Sequence, residues 1–126
     1  MVAIRLALLL LCGGCATSAT FPAAWDVAQL HPPKKYRVHW RKMEQCSGIR
    51  RSFDRVRWYV AFGELDHYGG WAGALAWPGT DQIVIQAAFV DVTYIVEHEI
   101  LHLLLHQTHP AHPVPPFEKC SASYIL

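Results

Sequence analysis

Residues 91–107 carry Val92, Ile95, Val96, Ile100, Leu101, Leu103, Leu104 and Leu105, apolar positions that cover so much of a helical wheel that a helix here has to be largely buried. Asp91 stands where an N-cap belongs; Pro110, Pro113, Pro115 and Pro116 stop the helix and predict an extended segment after it. Yet His98, Glu99 and His102 lie inside that apolar run. Polar groups in a buried helix need partners, since an unpaired one costs about 1–3 kcal/mol or more. Two readings meet the requirement. In one, the three residues join Glu97 and His106 in a stripe facing water; in the other, they converge on an ion.

The spacing favours the ion. His98-Glu99-Ile100-Leu101-His102 reads H-E-x-x-H, and two histidines at i and i+4 project from one helix face, so their nitrogens can meet one ion at about 2.0–2.1 Å each. Zinc is the expected metal. Glu99 is rotated by about 100° from His98, near enough to accept a proton from a zinc-activated water without being a ligand. That assigns Glu99 as general base in peptide-bond hydrolysis. With eight His and five Glu in 126 residues, chance would supply only about 0.02 such motifs.

A catalytic tetrahedral site needs a third protein ligand and an open position. His106 lies a further turn along the same helix, too far for all three to meet one ion, so His109, His112 and Glu118 remain. The metzincin extension is absent: Leu105 stands where its glycine would be and Thr108 where its third histidine would be. Either post-helix histidine fits a chain that must turn back under the helix.

The run from His98 to His102, followed by His112-Pro113, Phe117 and Cys120, resembles the ending of small bacterial zinc-metallopeptidase lipoproteins with a zincin-like H-E-x-x-H motif. Cys46, the Trp58-Tyr59 strand and a Gly-Trp strand followed by Ile-Val-Ile fit the same pattern, so the resemblance runs from about Tyr36 to Cys120. It implies a zincin-like fold and His112 as the third ligand. The second His-Pro pair, His109-Pro110, keeps His109 as the alternative.

The first residues read as an export signal. Arg5 precedes an apolar run over residues 6–11, too short for a membrane span of about 20 residues. Gly13-Gly14-Cys15 resembles a lipobox, which implies a lipid anchor on Cys15, although Cys12 stands where that pattern prefers Leu; cleavage after Ala19 is the competing reading. Either route places the domain outside the cytoplasm, in the cell envelope or secreted. An oxidising compartment favours a disulfide between Cys46 and Cys120 over two buried thiols.

On this reading residues 1–15 are a lipoprotein-type signal peptide, 16–33 a Pro- and Ala-rich tether, and 34–126 the domain. Residues 36–43 alternate enough for a first strand and 55–62 form a second, with a loop over 63–70. Residues 71–77 and 82–86 flank Pro78-Gly79-Thr80-Asp81 and predict an antiparallel hairpin. Strands first and a long helix late give an α+β class: a small antiparallel or mixed sheet packed on one long H-E-x-x-H helix.

Nine of the eleven Lys and Arg residues fall between Lys34 and Arg57, against only Glu44 and Asp54. That stretch reads as a solvated face, able to lie on anionic lipid if Cys15 is acylated. No nucleic-acid module is recognisable, and nucleic acid is not an expected partner. His67, Tyr68 and Tyr124 are lesser candidates for stabilising an oxyanion, while His31 and His39 have no visible partner. Two rival functions stay open: a non-catalytic zinc-binding envelope protein, and an interaction module presenting a tryptophan-rich surface.

Overall fold

Pro33 sets the backbone ahead of a run in which Tyr36, Trp40 and Met43 recur at helical spacing, and that run is a helix, α1 (Lys34–Ser47). The strand predicted over residues 36–43 is therefore corrected. Alternation would have buried Val38 with Tyr36 and Trp40, but Val38 is 61% exposed whereas Tyr36 and Met43 are fully buried. Gly48 ends the helix at φ 75°, a left-handed conformation open to glycine, and its N–H donates to the carbonyl of Glu44 at 2.9 Å.

The computed structural model describes residues 21–67, 70–108, 111–113 and 115–121. The signal and lipobox readings, with Cys15, lie outside the described residues, as do Tyr68, His109, Tyr124 and the side chain of His67. Among the described residues no helix is long and apolar enough to cross a membrane.

The chain is α+β. A four-stranded mixed sheet has the order β1-β2-β6-β5, built from β1 (Val27–Gln29), β2 (Arg57–Ala61), β5 (Ala74–Trp77) and β6 (Gln82–Gln86); β3 (Leu65–His67) and β4 (Gly70–Ala72) pair separately. β2 and β6 are parallel at the centre, with β1 and β5 antiparallel to them at the edges. The predicted hairpin exists as β5 and β6, joined by a single 3-10 turn at Pro78–Thr80.

Three expectations change. Val27, Ala28 and Gln29 pair with Ala61, Val60 and Tyr59, so this part of the predicted tether is a sheet edge and the folded body begins before Lys34. The predicted loop over 63–70 contains β3. The predicted strand over 71–77 is broken at Gly73, where an added Cβ would stand 3.2 Å from the Phe89 ring and 3.4 Å from Ile95. That close approach lets the next helix lie against β5.

That helix is α2 (Thr93–Leu105), and a short helix, α3 (Pro116–Cys120), follows where an extended segment was predicted. Val92 rather than Asp91 is the N-cap, and Asp91 pairs instead with Lys35 of α1. The inner face of the sheet, with Trp58, Ala74, Ala76, Ile83 and Ile85, packs on both long helices through Tyr36, Trp40, Met43, Val96, Ile100, Leu103 and Leu104. Val84 and Leu75 point to the other face, which Leu65, Phe21 and Trp25 cover. The sheet thus rests on two long helices, and the one carrying H-E-x-x-H is held between the sheet and α1.

Tyr36 joins these layers. Its hydroxyl donates to the Val90 carbonyl at 2.6 Å, and its pKa is pushed up to about 12, chiefly by burial and further by the charge on Asp91. A raised tyrosine pKa contributes stability that is complete below pH about 10 and lost as pH climbs through about 12. Tyr36→Phe should lower stability at neutral pH by about 1 kcal/mol. Denaturant midpoints measured across that window should also fall less steeply in the variant than in the parent.

Candidate metal centre

Burial decides between the two readings of α2. Glu99 is 3% exposed and His102 is fully buried, so no water-facing stripe runs along this helix. Glu97 is buried too, and its carboxylate takes hydrogen bonds from Lys42 Nζ at 2.9 and 3.0 Å while standing 3.0 Å from His39 Nδ1. His39 therefore has a partner after all, and Glu97 ties α2 to α1. His106 leaves the helix in a left-handed conformation, φ 54°, and is exposed.

His98, His102 and His112 come together. His98 Nε2 lies 3.2 Å from His102 Nε2 and 3.1 Å from His112 Nε2, and ligand atoms of all three fall within 4.8 Å of one another. Nitrogens held at 2.0–2.1 Å from one tetrahedral ion would be about 3.3–3.4 Å apart, close to these separations. Among the described residues, no further His, Cys, Asp or Glu joins this group. Glu118, exposed on α3, is not in it.

Counting protons gives an independent test of whether these residues fit a metal. His102 Nδ1 is 2.8 Å from the carbonyl of Gln107, which can only accept, so Nδ1 carries the hydrogen and neutral His102 turns the lone pair of Nε2 toward His98. If His98 Nε2 donates to that lone pair, it has none left to accept from His112. If it accepts from His112, it faces His102 lone pair to lone pair. Two contacts on one ring nitrogen therefore cannot both be hydrogen bonds between neutral rings. One cation receiving three lone pairs satisfies all of them, and the Gln107 carbonyl is the outer-shell acceptor that such a ligand uses. Sequence reasoning did not find Gln107, because its backbone oxygen carries no residue signature.

The placement of His112 follows from what happens after α2. At His106 the chain reverses; Arg51 Nε donates to the Leu104 carbonyl at 3.0 Å and satisfies the helix end. α3 then docks Phe117, fully buried, with its ring centroid 5.1, 4.8 and 5.0 Å from those of His98, His102 and His112. One aromatic ring thus backs all three imidazoles. The expected Cys46–Cys120 disulfide is present and fastens the end of α3 to α1 across 74 positions of sequence. His98 and His112 are only partly buried, so the cluster has an inner wall and an accessible side.

Compared with protein-family models, with curated proteins and with solved structures, the chain matches none.

The clamp on α3 makes a prediction about metal affinity. If the cluster holds a divalent metal ion, Phe117→Ala, or Cys46→Ser with Cys120→Ser, should weaken its binding about 10- to 100-fold, as loss of a group that supports the ligands does. His102→Ala should do more, since it removes a donor outright. Competition against a chromophoric chelator measures all three.

Proposed function

We propose that this chain is a zinc-dependent metallopeptidase with a zincin-like arrangement, exported and attached to the envelope through a lipid on Cys15. The observation that carries the reading is the meeting of three imidazole nitrogens from His98, His102 and His112, with a buried acid, Glu99, next to His98 in the sequence of the same helix. Three neutral nitrogen donors suit zinc better than calcium or magnesium, which prefer oxygen. A set of three protein donors leaves a position for water or substrate, as hydrolytic zinc sites do.

When bound, zinc supplies a Lewis acid that brings the pKa of a water near 7 and polarises a carbonyl. The chain supplies the rest. Glu99 sits about 60° round the helix from His102 and about 100° from His98. From there its carboxylate takes the proton as water attacks the peptide carbonyl and returns it to the departing amine. β5 is an edge strand lying against α2, and its unpaired side offers main-chain groups to an extended peptide. Trp71, placed by sequence reasoning on this edge, belongs to β4 in the other sheet, so the edge itself is Ala74–Trp77.

Glu99→Gln tests the role of the carboxylate. The variant should keep stoichiometric zinc and lose peptide hydrolysis by about 10²- to 10⁴-fold, the range for removal of a general base. Full zinc with equally negligible hydrolysis in both proteins, across a broad peptide library, would leave a structural zinc site.

A further inference from the structure

The outward face of α1 is basic from Lys34 to Lys42. Lys34, Lys35, Arg37, Arg41 and Lys42 are all exposed, and Val38, 61% exposed, lies among them. At about 100° per residue, Lys34, Val38, Arg41 and Gln45 form the centre line of this face, with Lys35 and Lys42 on one flank and Arg37 on the other.

The flanks are neutralised against the body of the protein: Lys35 pairs with Asp91, Arg37 with Asp54 and Lys42 with Glu97. The centre line is not. Among the described residues, neither Lys34 nor Arg41 has a carboxylate partner, and the same holds for Arg50 just beyond the helix. Arg41 and Arg50 line a hollow of about 470 Å³ with Glu44, Gln45 and Gly48. Glu44 shares this hollow, where its Oε2 accepts from the backbone N–H of Arg51 at 3.2 Å.

We propose that the outer face of α1, with the hollow at its C-terminal end, docks on an anionic phospholipid bilayer and seats a lipid phosphate between Arg41 and Arg50. Two guanidinium groups around a headgroup-sized hollow suit a phosphate, since each can offer paired N–H donors. A helix with cations around one exposed aliphatic residue suits an interface where charge meets hydrocarbon. A nucleic acid would find neither a groove nor a stacking aromatic on this face. The inference is independent of the hydrolytic reading and needs no bound metal.

The test is flotation of the full chain with vesicles of phosphatidylcholine alone and of phosphatidylcholine with phosphatidylglycerol. Apolar residues near the N-terminus contribute equally to both, so the ratio of the two partition constants reports charge. Each cation near the surface should contribute about fivefold to that ratio. Arg41→Glu and Arg50→Glu should each lower it by at least that factor, while Lys119→Glu on α3 should leave it unchanged. Only Arg41 lies within the helix, so agreement between the two reversals excludes a folding artefact. At 1 M salt, where the screening length is about 3 Å, the preference should vanish. A ratio near one, a ratio that both reversals leave intact, or equally tight binding to single-stranded DNA at equal phosphate concentration would overturn the proposal.

Discussion

The third imidazole is delivered by a helix too short to stand by itself. α3 has five residues, one turn and a half, and isolated helices well beyond that length are marginal in water. Its position is imposed from outside, by prolines at its start, by burial of Phe117 and by the covalent link from Cys120 to Cys46. The link closes a loop that, on the chain-entropy argument, removes about 4 kcal/mol of freedom from the unfolded chain. More specifically, it fixes the far end of the segment that holds His112 while α2 fixes the near end. Two of the candidate ligands, His98 and His102, come from one regular helix and need no such help. The third depends on a cross-link made elsewhere in the molecule.

Two glutamates on α2, separated by one residue, show how environment divides identical side chains between jobs. Both are nearly fully buried, at 3% exposure. Glu97 points toward α1, where Lys42 and His39 hold it, and replacing it would leave an uncompensated charge between two helices. Glu99 is about 200° further round the helix, about 60° from the position of His102, and so projects away from α1. The sequence Glu97-His98-Glu99 thus alternates an anchor to α1, a candidate ligand and a second buried acid.

What could be read without coordinates follows the range of the interactions concerned. The α2 helix, the β5–β6 hairpin and the convergence of His98 with His102 rest on spacings within a few residues, and all three appear. The Cys46–Cys120 bridge was legible because, in the oxidising compartment that the sequence leads one to expect, two cysteines have few alternatives. α1 was misread because Tyr36, Val38 and Trp40 alternate over five residues, while the helical repeat shows only when Met43 is included and Val38 set aside. Val27, Ala28 and Gln29 were lost in a Pro- and Ala-rich stretch, since an edge strand of three residues has no period to detect. His112 could be suspected but not placed, because a loop's path is set by what it docks against, here Phe117. The Gln107 carbonyl and the pairing of His39 with Glu97 lay beyond any sequence pattern.

The burial of His102 links this site to the stability of the fold. Its ring is fully buried, with Nδ1 donating to the Gln107 carbonyl and Nε2 3.2 Å from His98 Nε2. An ion held by this cluster would have no equivalent site in the unfolded chain, so its binding free energy would count as folding free energy. The disulfide works on the opposite term, lowering the entropy of the unfolded state. A bound metal and the cross-link would therefore stabilise the same arrangement by separate routes. A small domain can then keep a polar, partly open cluster where an apolar core would otherwise have been the more stable choice.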